Sequence, residues 1–292
     1  MTKKAILIDG NSLLFRSYYG TINQVDYFIK NNLQPTNAIK TMMLMIFNLL
    51  TNNKYDYSLI AFDHKDKNFR KEEYKEYKGT RKKIPDPLIS QIEPVKQIMP
   101  LFGLNTFCIS GIEADDVVGS AAKLLERNDV FCEIYSTDND LLQLVSNKCN
   151  VIQLKKGLNE TVCFTNDNFE KLYNGLLPNQ VPDFKGISGD NSDNLPGIKG
   201  VGPKTAIELL KEFKTLESIY ENIEFLKSKS VKVKFLDNKN EAIMCKKLAT
   251  ILTTYFDDKE ICDFESKPIN IDEIKKIVYK YNFSGFKKYT GE

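Results

Sequence analysis

The amino-acid sequence predicts an α/β fold with a mainly parallel central sheet flanked by helices. Three short aliphatic runs, KAILID, YSLIAFD and VFCEIYSTD, have the length and the branched side chains of buried strands. Segments with apolar residues at helical spacing, 35–50 and 111–126, lie between these runs. Strands that alternate with helices indicate parallel strands joined by helical crossovers.

The domain organisation is predicted from the chain length and from where glycine and proline become frequent. The 292 residues suit one large domain or a main domain with a smaller one. Glycine and proline become more frequent after about Leu177, and short lysine-rich helical patterns follow. We therefore expect an α/β part over residues 1–175 and a smaller, mainly helical part over residues 176–292.

Several classes of protein are disfavoured by composition. No apolar stretch is long enough to span a bilayer, so no membrane association is expected. The six cysteines form no C-x-x-C pair and indicate reduced thiols, as in a cytoplasmic protein. His64 is the only histidine, which excludes a multi-histidine metal site. Any catalysis must therefore depend mainly on carboxylates, lysines and arginines.

Acidic residues recur where predicted strands end and in two dense clusters further along the chain. In a parallel α/β sheet the carboxyl ends of the strands border one crevice, so these side chains could converge there. For any one group taken singly, turn formation or helix capping is the commoner explanation. The nine candidates are Asp9, Asp63, Glu113, Asp115, Asp116, Asp138, Asp140, Asp190 and Asp193.

Converging carboxylates need countercharge. Two of them about 4 Å apart repel by roughly 4 kcal/mol at an effective dielectric near 20. Mg²⁺ prefers oxygen ligands, and a pair of such ions activates water and stabilises the leaving oxygen in phosphodiester cleavage. The cluster therefore predicts two or more Mg²⁺ ions per site, with Mn²⁺ as a substitute.

The segment 64–83 is strongly basic. It holds nine Lys or Arg residues against four Asp or Glu, interleaved with Phe69, Tyr74 and Tyr77. Cationic side chains that track phosphates and aromatic rings that stack on bases are typical of single-strand binding, and a solvated charged helix has a similar composition. Its position directly after Asp63 favours a binding role beside the acidic site.

A glycine-rich turn leads into a helix within the segment 195–213, with Pro203 near the first helical turn. Glycines permit close backbone approach, and helix N-terminal amides bind phosphate. Many helix–turn–helix connections share this pattern. Its junction with Asp190 and Asp193 favours binding of a DNA backbone by shape rather than by sequence.

Five segments in order resemble the 5′ nuclease part of bacterial DNA polymerase I, its viral relatives and the flap endonucleases: IDGNSLLFR, FD…FRKEEYKEYKGTR, GIEADDV, STDNDLLQL and GDNSDNLPGIKGVGPKTA. The resemblance implies a PIN-like 5′ nuclease fold with a helical arch near 65–90 and a helix-hairpin-helix near 190–213. It also implies that all nine carboxylates are metal ligands.

The resemblance assigns further roles by position. Lys78, Arg81, Arg16 and Arg70 correspond to basic residues near the scissile phosphate or the base of the arch. Tyr77 is similar to the arch aromatic, and with Lys78 and Arg81 would contact DNA. The hairpin residues expected to grip duplex backbone, with a possible K⁺ ion, are Gly200, Gly202, Lys204 and Thr205. Asn139 stands where polymerase-linked members usually carry Lys.

The implied activity is that of a metal-dependent 5′-to-3′ exonuclease and 5′ flap endonuclease of DNA replication and repair. Its substrates would be DNA with 5′ flaps, nicks or 5′ ends, and RNA–DNA primers. Since no polymerase module follows Glu292, a stand-alone nuclease is expected, with a separate DNA polymerase and ligase in the same pathway. The alternatives are a catalytically silent branched-DNA-binding protein and a PIN-like ribonuclease.

Overall fold

The computed structural model describes residues 2–156 and 160–290. Its sheet has six strands in the order β3-β2-β1-β4-β5-β6, all parallel except the last, which runs antiparallel to its neighbour. The strands are β1 Lys4–Asp9, β2 Tyr57–Ala61, β3 Asn105–Phe107, β4 Phe131–Ser136, β5 Cys149–Lys156 and β6 Glu160–Phe164. The predicted α/β class with a mainly parallel sheet is confirmed.

Helices surround the sheet and form most of the chain after residue 165. The α-helices are α1 Gly10–Tyr19, α2 Val25–Lys30, α3 Asn37–Asn52, α4 Phe69–Glu73, α5 Asp86–Ile98, α6 Ala114–Arg127, α7 Phe169–Leu172, α8 Val181–Ser188, α9 Pro203–Phe213, α10 Leu216–Glu221, α11 Lys229–Asp237, α12 Lys239–Ala249, α13 Ile271–Lys280 and α14 Lys287–Thr290. Short 3₁₀ helices cover Ile22–Gln24, Met99–Phe102, Asp140–Leu144, Pro178–Gln180, Ile223–Phe225 and Ile261–Phe264. Within the described residues, no helix is both long and apolar enough to cross a membrane.

The three predicted strands form the centre of the sheet as β1, β2 and β4. Every residue of β2 is buried, as expected for a strand covered by helices on both faces. Residues of α1, α3 and α5 pack on one face and residues of α6 on the other. Strands β3, β5 and β6 were not predicted, because β3 has only three residues and the other two carry polar residues on the exterior.

Gly10 allows the turn from β1 into α1. A Cβ there would lie 2.6 Å from Cε1 of Phe62 and 2.7 Å from the carbonyl oxygen of Ala61. Without a side chain, the helix begins directly beside β2, and Asp9 becomes its N-cap by accepting a hydrogen bond from the Ser12 amide at 2.9 Å. The cap fixes the position of the Asp9 carboxylate at the edge of the sheet.

The helices after residue 175 have their own apolar core, in which Leu210 and Phe235 are fully buried. The chain then returns to the sheet. Phe264 packs with the α6 side of the sheet, and Phe286 packs with the opposite layer, near Phe47. The last forty described residues therefore stabilise the α/β part.

The segment expected to form a helical arch contains one five-residue helix, α4, followed by turns and extended chain up to α5. Tyr77 is buried, and the Lys78 amide donates to the Asp193 carbonyl at 2.9 Å. The Asn194 side chain donates to the Glu76 carbonyl at 2.8 Å. These hydrogen bonds hold the segment against the turn at 190–195, so it is less helical than predicted.

Candidate metal centre

Four of the predicted carboxylates line one cavity of about 600 Å³. Asp9 ends β1, Asp63 follows β2, Asp138 follows β4, and Asp115 lies in the first turn of α6. Because β1 pairs with both β2 and β4 in parallel register, the carboxyl ends of the three strands meet at one edge. This pairing brings together side chains that are distant in sequence.

Neutral donors orient these carboxylates. Asp9 accepts from the Ser12 amide at 2.9 Å and from the Ser136 hydroxyl at 2.8 Å. Asp63 accepts from the Ala114 amide at 2.8 Å and from the side chain of Asn11. The backbone and neighbouring polar groups thus direct the negative charges toward the cavity without neutralising them.

Burial and mutual repulsion raise the pKa values of three of the four. Burial, followed by the charges of Asp138 and Asp63, raises the pKa of Asp9 to about 7. Burial, then Asp138 and Asp9, holds the pKa of Asp115 well above its ordinary value. Burial also raises the pKa of Asp138, although Lys185 opposes the shift. Such a cluster favours either protonation or a bound cation.

The donor set fits a hard divalent cation. All four groups offer oxygen, which Mg²⁺ and Mn²⁺ prefer. Among the residues that the structure describes, no three Asp, Glu, His or Cys side chains are arranged to hold a single ion. Mg²⁺ does not require such a cage, because it usually keeps several waters and binds through one or two carboxylates and substrate phosphates.

Glu113 lies at the margin of this cavity, at the N-cap position of α6. It accepts from the Lys78 ammonium at 3.0 Å and the Tyr77 hydroxyl at 3.2 Å. Burial lowers the pKa of Lys78, but Glu113 and then Asp193 outweigh this effect and raise it above its ordinary value. Lys78 therefore stays positively charged in the cavity wall.

The other predicted ligands form a second group outside that cavity. Asp140 and Asp190 both contact the ammonium of Lys185, a buried residue of α8. Asp193 accepts from Arg81 at 2.6 Å and from the Tyr77 hydroxyl at 3.0 Å. Burial acts to raise the pKa of Asp190, but Lys185 and hydrogen bonds from Ser192 bring it below its ordinary value. This group is thus already partly neutralised by protein cations.

Asp116 and Arg70 do not face the cavity. Both oxygens of Asp116 accept from the Arg70 guanidinium, at 2.6 and 2.7 Å, and both residues are buried. The remaining Arg70 donors reach the carbonyls of Leu248 and Thr250. The predicted metal-binding role of Asp116 does not fit this arrangement, because both of its oxygens are used in a buried ion pair. Arg70, predicted near the scissile phosphate or the base of the arch, lies in the basic segment and is used in the same pair.

Arg16 and the hairpin lie elsewhere. Arg16 is partly buried on α1, and its Nε has no hydrogen-bond partner among the described residues. Gly200 has a φ of 78°, and its carbonyl accepts from Lys234 at 2.8 Å. Gly202 and Lys204 are exposed and Thr205 partly exposed at the N-terminus of α9. The backbone amides there are accessible to a phosphate.

Sequence reasoning missed three residues of the site. Asn11 bonds to Asp63, Lys185 contacts Asp140 and Asp190, and Lys96 of α5 lines the cavity. Asn11 was detectable from its place two residues after Asp9. Lys185 and Lys96 carry no local signal, since a lysine in a helical pattern usually faces solvent.

A mainly parallel sheet whose carboxyl edge bears clustered carboxylates, with lysine and arginine side chains beside them, is the arrangement expected of a metal-dependent α/β nuclease. Residues 4–174 match the family model of the 5′-3′ exonuclease N-terminal resolvase-like domain, and residues 176–272 match that of the 5′-3′ exonuclease C-terminal SAM fold. The chain therefore belongs to the 5′-3′ exonuclease family, as the resemblance implied.

Individual relatives agree with this assignment. A 5′-3′ exonuclease of Mycoplasma pneumoniae is 42% identical over 279 residues, which cover 96% of each chain. DNA polymerase I of Bacillus subtilis is 33% identical over 290 residues, covering 99% of this chain and 32% of the polymerase. The crystal structure of T5 D15 protein, co-crystallised with metal ions, has a TM-score of 0.71 at 18% identity and 96% coverage of both chains, and so shares the fold.

Proposed function

We propose that this chain is a 5′-to-3′ exonuclease and 5′ flap endonuclease that hydrolyses DNA and RNA-primer phosphodiester bonds with two Mg²⁺ ions. The observation that carries the proposal is the cavity in which Asp9, Asp63, Asp115 and Asp138 meet beside Lys78 and Arg81. The family supports exonuclease action. Flap cutting is supported by the likeness of the fold to T5 D15, described in one structure as a flap endonuclease.

The carboxylates of the cavity would hold the ions, for which Mn²⁺ could substitute. Bound there, the metals would supply an activated water nucleophile and stabilise the leaving oxygen. In this proposal Glu113 keeps Lys78 oriented, and Asp140, Asp190 and Asp193 form a second acidic group that Lys185 and Arg81 partly neutralise. Asp116 is left out as a ligand.

The proposed roles of the chain's basic residues are binding and orientation. Lys78 has three N–H donors, so it can keep one on Glu113 and offer another to a phosphate oxygen. Arg81 is nearly half exposed while bonded to Asp193, which leaves donors free on its outer edge. Tyr77 would orient Glu113 and Asp193 through its hydroxyl, because its ring is too deeply buried to stack on a base.

The helical part would bind duplex DNA. We infer that residues 1–175 form the catalytic unit and 176–292 the DNA-binding region, a division that the two family models support. Gly200, Gly202, Lys204 and Thr205 would contact duplex phosphates at the N-terminus of α9. A K⁺ ion there would need carbonyls other than that of Gly200, which is bonded to Lys234.

The proposed substrates are 5′ flaps, nicks, 5′ ends and RNA–DNA primers in the cytoplasm, with a DNA polymerase and a ligase completing the repair. The test is cleavage of a 5′-end-labelled flap duplex in Mg²⁺, with an EDTA control. Asp138→Ala should abolish cutting, and Asp129→Ala, on an exposed aspartate paired with Lys148 away from the cavity, should not.

Two outcomes would overturn the proposal. Tight binding of the flap without cutting in Mg²⁺ or Mn²⁺ would identify a silent branched-DNA-binding protein. Strict preference for single-stranded RNA over DNA flaps would identify a ribonuclease.

A further inference from the structure

Lys96 presents a positive charge to the active-site cavity from an element other than the one that carries Lys78 and Arg81. It belongs to α5, and its side chain lines the cavity with Ile92, one helical turn earlier on the same face. Lys78 and Arg81 follow α4 in the chain and bond to Glu113 and Asp193. The cationic side chains that line the cavity with the four carboxylates therefore come from two separate segments.

The contacts of Lys96 are all neutral. Its Nζ lies 3.2 Å from Sγ of Cys108 and 3.5 Å from the carbonyl oxygen of Asp63, and it lies 5.9 Å from the centre of the Phe62 ring. Among the described residues, no carboxylate forms an ion pair with it. A partly buried ammonium with only weak neutral partners retains most of its capacity to bind an anion.

The place of Lys96 beside Asp63 indicates which anion it would contact. The ammonium is held at the backbone of Asp63, whose carboxylate belongs to the acidic group of the cavity. Lys65 and Lys82 also line the cavity but are exposed, whereas the Phe62 ring and the Cys108 thiol anchor Lys96. Ile92 and Phe15 add apolar surface nearby, suited to the sugar of a nucleotide.

We propose that Lys96 is a substrate-binding residue that contacts a phosphate of the 5′ strand next to the scissile one. The inference rests on the proposed nuclease function and extends it. A strand that crosses the carboxylate cluster has its reacting phosphate at the acidic groups, and a neighbouring phosphate then needs a cation beside Asp63. Lys96 supplies that cation beside Asp63, in addition to Lys78 and Arg81 elsewhere in the cavity wall.

The first experiment compares Lys96→Gln and Lys96→Arg with the wild type, with Lys123→Gln, an exposed lysine of α6, as a matched control. Binding of a 5′ flap duplex is followed by fluorescence anisotropy in EDTA over a salt series, and cleavage in Mg²⁺ is measured in parallel. We expect Lys96→Gln to weaken binding and raise KM about tenfold, with kcat within about twofold. In Lys96→Gln the slope of log binding constant against log salt concentration should become shallower by about 0.7. In Lys96→Arg it should keep the wild-type value.

A second experiment identifies the phosphate. Single linkages of the 5′ strand around the cut site are replaced by neutral methylphosphonates. At one position next to the scissile bond, the replacement should weaken wild-type binding about tenfold and Lys96→Gln binding by less than about twofold, as expected for a direct partner. Equal sensitivity of both proteins at every position, or an unchanged salt slope in Lys96→Gln, would overturn the proposal. Absence of metal-dependent cutting by the wild type would instead contradict the nuclease function, and the binding data would still decide the role of Lys96.

Discussion

Arg70 donates two parallel hydrogen bonds to Asp116, with Nη1···Oδ2 and Nη2···Oδ1 distances of 2.6 and 2.7 Å, inside the protein core. The pair joins α4, at the start of the basic segment, to α6, which carries Asp115 into the cavity. Adjacent acidic residues on one helix therefore have different roles. Asp115 faces the cavity, and Asp116 anchors α6 to α4 through Arg70.

Asp116→Ala should lower the free energy of unfolding by about 3–5 kcal/mol, because it removes the bidentate partner of the buried Arg70 charge and leaves only Glu113, at 3.6 Å. Asp115→Ala should cost far less, since Asp115 is repelled by Asp138 and Asp9. Urea unfolding in EDTA measures both. Equal losses in the two variants would contradict the division of tasks between these neighbours.

Mg²⁺ should stabilise the folded protein by binding at the carboxylate cavity. At a concentration one hundred times its Kd, the gain is about 2.7 kcal/mol, seen as a rise in the midpoint of thermal unfolding. Asp115→Asn should lose most of this rise, and Asp129→Asn, an exposed residue away from the cavity, should keep it. An identical Mg²⁺ effect in the wild type and Asp115→Asn would place the binding site elsewhere.

Lys78→Met should lower kcat for flap cleavage about 10²- to 10³-fold, the usual effect of removing one preorganised donor from a developing charge. Lys123→Met, at an exposed position of α6 outside the basic segment, is the control and should cut at the wild-type rate. Since Lys78→Met removes the nearest cation from Glu113, the double variant with Glu113→Gln separates stability from catalysis. In the double variant we expect the free energy of unfolding to recover while kcat stays low. Recovery of both would show that Lys78 acts only structurally.

Asp183, in the helical part, should make the free energy of unfolding depend on pH. It is buried on α8 and accepts from the Leu216 amide and the Lys246 ammonium, each at 2.7 Å. Burial raises its pKa above the ordinary value despite Lys246. The folded state therefore holds this proton more tightly than the unfolded state does, and the free energy of unfolding should fall as pH rises from about 4 through the raised pKa.

The comparison that isolates this residue is Asp183→Asn. Denaturant unfolding at several pH values should give a smaller decline in the variant than in the wild type over that interval. A steeper decline in the variant would mean that Lys246 lowers the pKa of Asp183 after all.

The central strands and three of the cavity carboxylates could be predicted from the sequence. Each of the runs that became β1, β2 and β4 leads directly to an aspartate, namely Asp9, Asp63 and Asp138. Parallel strands in one sheet place their carboxyl ends at the same edge, so sequence position converts directly into spatial proximity. The family followed from a resemblance carried by five motifs in a fixed order along the chain.

The sequence by itself determined the strand ends, the acidic character of the site and the basic segment beside it, because these depend on residue type and local periodicity. The tertiary structure alone decided which carboxylates remain free of cations. Successive helical residues point about 100° apart, so the partner of Asp116 depends on what packs against α6. Lys185 and Lys96 meet the acidic residues only because α8 and α5 pack beside the sheet edge, and such contacts between distant segments leave no pattern in the chain.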